Sequence, residues 1–342
     1  DPFAYGGIAN DIVVAAWMDD VDPHQAGATS KYGEAACDAC IAQLDGDDPV
    51  TGDNQAGGRN WFAADVWLGR LPARDVQELT NMVAKLVAYD KNSNGADWRS
   101  RKVFLADNYI KALDTQMNAR PDEAGDFAAL SDNVVNTLPN PASARRIYYD
   151  PAPDRQMTST AVAGGYFQTV PRTLPENWRI SDIVGINAEV IATLSQGAGL
   201  VTYNGHSNHF YYARTEDVYN TGVGDKWLLN APEVALLSNT GKEFVMLSMT
   251  CYTAQFVKPA ANGTLDEWLI RHQQGGAIAV WGPTGLSVVS GHELLQQGFI
   301  RQLADARSEQ RLGNLVEAGY TNLLTQNGPL DPLMTFVLLG DP

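Results

Sequence analysis

The sequence predicts an α/β protein, a three-layer α/β/α sandwich with a mostly parallel sheet as its middle layer. Short apolar segments alternate along most of the chain with segments whose apolar residues recur at helical spacing. The apolar segments are nearly continuous, which is typical of parallel strands buried on both faces of a sheet. Strands and helices that alternate in this way form crossover units, and these units place helices on both faces of the sheet.

A helix over 75–92 is the clearest predicted element of the N-terminal part. Its apolar residues recur at the spacing of one helix face, and Asp75 stands where an N-cap residue is expected. Strands are predicted before it, at 11–20 and 62–73.

The chain divides at the polar segment NSNGAD, which ends at residue 97. We predict an N-terminal α/β subdomain over 1–97, which we expect to be incomplete, and a second α/β subdomain over 98–342. The predicted strands of the second subdomain are 103–106, 143–150, 198–206, 243–251 and 275–284, and its predicted helices are 126–138, 181–197, 265–273 and 292–306.

The acidic composition excludes some classes of partner. A net charge of −16 and a pI near 4.6 repel nucleic acid and anionic membrane surfaces, so we expect neither as a partner. No apolar run approaches the ~18 residues of a membrane-spanning helix. The start of the chain lacks the pattern of a signal peptide, so we expect a piece of a larger precursor with other domains.

The three cysteines fall into two groups. Cys37 and Cys40 form a C-x-x-C pair, which can be a local disulfide, an inert pair, a redox pair or half of a metal site. No second such pair completes a zinc site, and the surrounding segment is Ala-rich and helical in pattern, so we favour a disulfide or an inert pair. Cys251 is left over, as expected for a thiol enzyme.

Three reactive side chains follow predicted parallel strands. Asp107 follows the strand 103–106, His206 follows the apolar run LVTYN, and Cys251 follows FVMLSM. Active groups of open parallel sheets gather at the carboxyl ends of the strands. A cysteine nucleophile needs a neighbouring base, and a carboxylate can orient that base. The alternative is that Cys251 is an inert, buried thiol.

Several segments also match one known set of sequence blocks. They are GAGLVTYNGHSNHFYYA, FVMLSMTCYTAQF, GGAIAVWGPTG, FAADVWLGRLPARDVQELTNMVAKLVAYDKN and the terminal FVLLGDP. Together they resemble the gingipain-like cysteine peptidases, which belong to the same clan as caspases, legumain and separase. The resemblance covers about 60–342 and implies a caspase- or gingipain-like fold, a His/Cys dyad and endopeptidase activity on polypeptides.

The resemblance implies a role for individual residues. His206 and Cys251 fall on the catalytic dyad, and Asp107 falls where arginine-specific gingipains have an acid behind the histidine. The backbone amides of Ser207 and Cys251 fall on the oxyanion donors. Ser207 is a departure, because the family normally has glycine there, and this change raises the alternative of a slow or inactive relative.

Two further residues are candidates for binding substrate. Asp126 falls near the acid of the gingipain specificity pocket, which predicts cleavage after Arg in preference to Lys because a guanidinium binds a carboxylate through two hydrogen bonds. Asp126 fits equally well as a carboxylate at a helix N-terminus. Trp281 is either a wall of the substrate cleft or a residue buried under loops.

The chemistry of such a dyad requires no cofactor, but one loop suits a structural calcium ion. Asp45, Asp47, Asp48 and Asp53 alternate with glycines there, and Ca²⁺ prefers oxygen ligands. The alternative is a solvated acidic loop without metal.

Other functions remain open at this stage. A sortase-like transpeptidase of the same family would use the same dyad, an inactive surface or adhesion module would keep only the fold, and a redox protein would use Cys37 and Cys40. For the peptidase we expect an extracellular or cell-surface location.

Overall fold

The protein's structure is a computed structural model. It describes residues 18–20, 34–42, 65–92, 97–108, 110–113, 119–122, 124–150, 178–215, 226–257, 262–287, 289–305, 307 and 310–342.

The described elements are numbered in chain order. The strands are β1 (Met18–Asp20), β2 (Glu34–Ala36), β3 (Lys102–Ala106), β4 (Ile110–Leu113), β5 (Ala119–Pro121), β6 (Arg145–Tyr149), β7 (Arg179–Ile180), β8 (Leu200–Asn204), β9 (Ser207–Asn208), β10 (Tyr211–Thr215), β11 (Lys226–Asn230), β12 (Phe244–Met249), β13 (Ala277–Pro283) and β14 (Phe336–Leu339). The α-helices are α1 (Asp38–Ala42), α2 (Val76–Lys91), α3 (Phe127–Val135), α4 (Ile183–Ser195), α5 (Leu265–Arg271), α6 (Val289–Ala304), α7 (Leu312–Thr325) and α8 (Asp331–Thr335).

A seven-stranded sheet forms the middle layer, in the order β14-β13-β12-β8-β3-β6-β7. All neighbouring strands in it run parallel except β13 and β14, which are antiparallel. Smaller sheets pair β1 with β2, β4 with β5, and β9 with β10 and β11. The predicted mostly parallel sheet is therefore confirmed.

Side chains that alternate along β3 enter two separate cores. Val103 and Leu105 belong to the core that also contains residues of α4 and α5, whereas Phe104 and Ala106 belong to the core with residues of α3, α6 and α7. Successive side chains of a strand point to opposite faces of its sheet. The helices therefore lie on both faces, as the sequence predicted.

The order of the strands reverses between β3 and β8. From β3 the chain continues outward to β6 and β7, then returns to β8 on the other side of β3 and continues to β12 and β13. Ligands of open α/β sheets bind at such a reversal, beyond the carboxyl ends of the strands. The structure thus provides a site at the ends of β3, β8 and β12.

Aspartates begin three of the helices. Asp75, Asp126 and Asp182 each accept a hydrogen bond from a backbone N–H of the first turn of α2, α3 and α4, respectively. This bond satisfies a donor that has no partner inside the helix. The predicted N-cap Asp75 is confirmed.

Parts of the sequence-based description were wrong or incomplete. The predicted strand at 62–73 has no extended pairing in its described residues, which make one bridge between Arg70 and Leu339. The sequence did not predict α7 or β14, although FVLLGDP had been singled out. The division into 1–97 and 98–342 stays a prediction.

A partly buried lysine, Lys85, joins α2 to the end of α5. Its ammonium nitrogen lies 2.6, 3.1, 3.3 and 3.0 Å from the carbonyl oxygens of Ile270, His272, Gly275 and Ala277, which share its three N–H donors. The last carbonyls of a helix have no partner inside the helix. The lysine therefore closes the turn that leads from α5 into β13.

Replacing Lys85 with methionine is expected to lower the free energy of unfolding by about 1.5–3 kcal/mol, because four carbonyls at a partly buried place lose the charged donor that they share. Denaturant unfolding measures the change. Lys91→Met is the matched control, since Lys91 lies exposed on the same helix and its loss should cost little. Equal stability of the two variants would contradict this role for Lys85.

Candidate active site

The loop after β8 presents His206. Gly205 precedes it at a place where a side chain would collide with the Tyr203 hydroxyl and with Cβ of Asp107. The Tyr203 hydroxyl donates a hydrogen bond to the carbonyl oxygen of His206 at 2.5 Å. A glycine and a buried tyrosine therefore fix the direction in which the chain leaves the strand.

A buried carboxylate holds the His206 ring. Nε2 of His206 lies 2.7 Å from Oδ2 of Asp122. The Asp122 side chain is only 5% exposed, whereas that of His206 is 54% exposed. Oδ1 of Asp122 accepts the backbone N–H of Ala124, and Phe127 packs edge-on against the imidazole with 5.2 Å between ring centroids. The ring is thus oriented from behind and open to solvent in front.

Asp107, the acid that the sequence assigned to this histidine, has a different position. Its Oδ2 accepts the backbone N–H of His206 at 3.2 Å, and its Oδ1 accepts the N–H of Asn108 at 2.7 Å. Burial raises the pKa of Asp107 to about 6. The assignment is corrected: Asp122 bonds Nε2 of the ring, and Asp107 binds the backbone of the histidine loop.

Cys251 follows β12, the neighbour of β8. Met249 pairs with Asn204 at the ends of the two parallel strands, so Cys251 and His206 each lie two residues beyond the last pair. Cys251 is half-buried and forms no disulfide. The predicted placement of both residues at the carboxyl ends of adjacent strands is confirmed, while direct contact between thiol and imidazole stays a prediction.

A loop after β13 lies against the thiol. Sγ of Cys251 donates to the carbonyl oxygen of Ser287 at 3.5 Å, and Oγ of Ser287 lies 2.8 Å from Nε2 of His292. Burial lowers the pKa of His292 to about 3, so this ring is neutral at physiological pH. His292 anchors the loop over Cys251 without adding charge near the thiol.

Ser207 connects the two loops that carry His206 and Cys251. Its Oγ accepts the backbone N–H of Cys251 at 3.0 Å and donates to the carbonyl oxygen of Cys251 at 2.6 Å. The hydroxyl of Thr250 lies 2.6 Å from Oγ of Ser207. Ser207, which stands where the resemblance expects glycine, therefore binds the backbone of the candidate nucleophile.

The backbone N–H of Ser207 is not involved in the contacts of its side-chain hydroxyl. Ser207 lies opposite Tyr212 across β9 and β10, and the N–H of Ala213 donates to the carbonyl of His206. This pattern makes Ser207 and Tyr212 a pair without mutual hydrogen bonds. The Ser207 amide consequently points away from β10.

The backbone directly after Cys251 has an uncommon conformation. Tyr252 has φ = +59° and its N–H donates to the carbonyl of Gly285. The ring of His209 stacks on Tyr252 at 4.9 Å, and Nε2 of His209 lies 2.7 Å from the side-chain oxygen of Gln255. Left-handed φ costs free energy at a non-glycine residue and clusters at functional sites.

The two candidate substrate-binding residues have different outcomes. Asp126 caps α3 through the Ala129 N–H, and the next residue, Phe127, packs against the His206 ring. Trp281 is 0% exposed and packs against Phe299, Tyr320 and Phe336. It is therefore a core residue, and its assignment to the cleft is corrected.

The predicted calcium ligands Asp45, Asp47, Asp48 and Asp53 lie outside the described residues. Within the part of the chain that the structure describes, no group of His, Cys, Asp or Glu could hold a metal ion. Cys37 is disulfide-bonded, in line with the favoured interpretation of the C-x-x-C pair. Calcium binding stays a prediction.

Sequence reasoning missed Asp122. The segment ARPDEAG has no apolar strand before it, so the strand-end argument did not reach it. The available signal was Asp-x-x-Gly directly before a predicted helix, which is typical of a turn. No pattern in the sequence relates this turn to His206, which lies 84 residues later.

None of the described helices has the length and apolar character needed to cross a membrane.

Comparison with known proteins assigns the chain to one family. The model of peptidase family C25 matches residues 6–342. Structural neighbours include the Arg-specific cysteine proteinase gingipain R (RgpB), with a TM-score of 0.61 and 15% identity over 90% of this chain and 59% of that chain. A complex of Porphyromonas gingivalis RgpB pro- and mature domains has a TM-score of 0.58 and 12% identity over 94% of this chain and 67% of that chain.

A third neighbour, described only as a protease, has a TM-score of 0.56 and 16% identity over 90% of this chain. A search of curated proteins returned no match. The chain spans 59% of the gingipain R chain. At these identities the neighbours establish the fold, and the family model covers nearly the whole sequence. The chain belongs to peptidase family C25, the gingipain family.

Proposed function

We propose that this protein is a cysteine endopeptidase in which His206 and Cys251 form the catalytic dyad. One observation carries the proposal: a buried carboxylate, Asp122, holds the exposed imidazole that follows β8, and the adjacent strand β12 leads to a cysteine outside any disulfide. A histidine with only a structural role would not need a solvent-exposed imidazole. Base, orienting acid and thiol on one edge of a sheet are the parts of nucleophilic catalysis.

The proposed mechanism begins with the bond between His206 and Asp122. If Nε2–H donates to the carboxylate, the basic lone pair lies on Nδ1, which takes the proton from the Cys251 thiol. The thiolate sulfur attacks the scissile carbonyl carbon, and the resulting oxyanion binds the backbone amides of Cys251 and Ser207. His206 then protonates the leaving amine, and water hydrolyses the thioester.

Cleavage after arginine, with lysine second, is the proposed specificity. Asp126 supports it, because the first turn of α3 borders the His206 ring through Phe127. The chain's net charge of −16 also favours a cationic substrate. We further propose an extracellular or cell-surface location and association with other domains of a larger precursor. The proposed chemistry requires no cofactor, and calcium would have only a structural role.

The proposed function predicts selective covalent labelling. A peptidyl chloromethyl ketone that ends in arginine is expected to modify one residue, Cys251, and peptide mapping by mass spectrometry identifies the site. Cys251→Ser should abolish labelling, whereas a variant at the Cys37 disulfide should leave it intact. Modification elsewhere, or none, would contradict the dyad.

Addition of an amine acceptor to the hydrolysis assay reveals a transpeptidase by its amide product.

A further inference from the structure

We propose that the Ser207 hydroxyl is a latch on the oxyanion site: in the free enzyme it occupies the Cys251 amide, and it must rotate away before the transition state forms. This inference rests on the proposed peptidase function and concerns Ser207, which stands where the resemblance to gingipain-like peptidases expects glycine. It assigns to Ser207 a positioning role that lowers the resting activity.

The first argument is the complete use of the hydroxyl's hydrogen-bonding capacity. A serine hydroxyl has one proton and two lone pairs. In this structure the proton goes to the Cys251 carbonyl, while the oxygen accepts the Cys251 N–H and contacts the Thr250 hydroxyl. No donor is left on this side chain for a substrate oxygen.

The second argument is position. An oxyanion donor lies about 2.7–3.1 Å from the place that the oxyanion will occupy. Oγ of Ser207 lies 3.0 Å from the Cys251 nitrogen, so it stands where the substrate oxygen would have to stand. The amide has one proton, and it cannot fully serve both oxygens at once.

The third argument is that the other groups of the oxyanion site need not move when the Ser207 hydroxyl rotates. The Ser207 amide points away from β10, and its direction does not depend on the hydroxyl. The Thr250 hydroxyl lies 2.6 Å from the Gly205 carbonyl, which gives it a partner when Ser207 rotates. Opening the latch therefore requires rotation about one side-chain bond, without a change of backbone.

Two variants at this position separate the latch from a structural role. Ser207→Ala removes the hydroxyl and keeps Cβ. Ser207→Thr keeps the hydroxyl and introduces a β-branched residue, a type that is favoured in strands. We compare a peptide aldehyde, whose carbonyl oxygen becomes an oxyanion-like group when the Cys251 sulfur adds to its carbon, with iodoacetamide, which alkylates the sulfur without forming an oxyanion.

We expect Ser207→Ala to bind the aldehyde about 5- to 30-fold more tightly and to raise kcat by a similar factor with little change in KM, because two hydrogen bonds need no longer be broken. Its alkylation rate should change less than about twofold, and Ser207→Thr, which keeps the hydroxyl, should not show the gain in aldehyde affinity. Weaker aldehyde binding by Ser207→Ala would make the hydroxyl a donor and would overturn the latch, as would equal binding by all three proteins.

A measurement on the wild type avoids any question of misfolded variants. Amide hydrogen exchange by NMR should show the Cys251 N–H protected in the free enzyme, and an unprotected amide would overturn the latch. If Cys251 reacts and peptides are cleaved while these expectations fail, only the latch is wrong. If no variant reacts at Cys251 with either reagent, the proposed function and the latch are both wrong.

Discussion

Replacing Asp122 with asparagine is expected to lower kcat/KM for peptide hydrolysis by about 10²- to 10⁴-fold, as the loss of an acid that orients a catalytic histidine does elsewhere. The Asp122 carboxylate lies 2.7 Å from Nε2 of His206. Asparagine lacks the negative charge that stabilises an imidazolium. It can also turn its NH₂ group toward Nε2, and that orientation would place the ring proton on the nitrogen that must act as base.

Steady-state hydrolysis of a peptide substrate measures this effect, with thermal unfolding as a check on the fold. Asp182→Asn is a matched control, because Asp182 also accepts a backbone N–H near a helix start but lies exposed at α4. A loss of less than threefold in Asp122→Asn would reduce Asp122 to a turn residue. If Asp107→Asn alone abolished activity, the original sequence-based assignment of the acid would be restored.

The strand-end positions of His206 and Cys251 could be predicted from the sequence because their signal is local. The runs that became β8 and β12 are mostly apolar, so both are recognisable as buried strands, and the residues at their ends follow directly. Their adjacency in the sheet followed from the preference for parallel α/β packing. Asp122 could not be predicted in this way, because its contact with His206 depends on how a loop folds over the sheet.

The missed helix α7 has a different physical reason. Gly313 and Gly319 lie within it, and glycine in a helix interior costs about 1 kcal/mol relative to alanine, which weakens a sequence prediction. At Gly319 a side chain would collide with Trp281 and with the backbone of α6 at Leu295. Close packing therefore requires the glycine, and the same packing buries Trp281, which the sequence had suggested for the cleft.

Asp126 has two possible roles, and one substitution separates them. Asparagine caps a helix about as well as aspartate does, so Asp126→Asn should keep the hydrogen bond from the Ala129 N–H and the stability of α3. What it removes is the negative charge at the start of α3, where the next residue packs against the His206 ring. If that charge binds the substrate guanidinium, kcat/KM for substrates with arginine before the scissile bond should fall about 10- to 150-fold, from ~1.5–3 kcal/mol for a charged hydrogen bond.

The loss should be confined to basic substrates. Hydrolysis after leucine and alkylation of Cys251 by iodoacetamide should stay near wild-type rates, because neither uses the carboxylate. Arginine should lose more than lysine, since only the guanidinium forms two parallel hydrogen bonds to it. Asp126→Ala, which removes both cap and charge, should add a loss of about 1 kcal/mol in stability without a further change in preference. An unchanged Arg-to-Leu ratio in Asp126→Asn would leave Asp126 as a helix cap, and the specificity pocket would then lie elsewhere on the cleft.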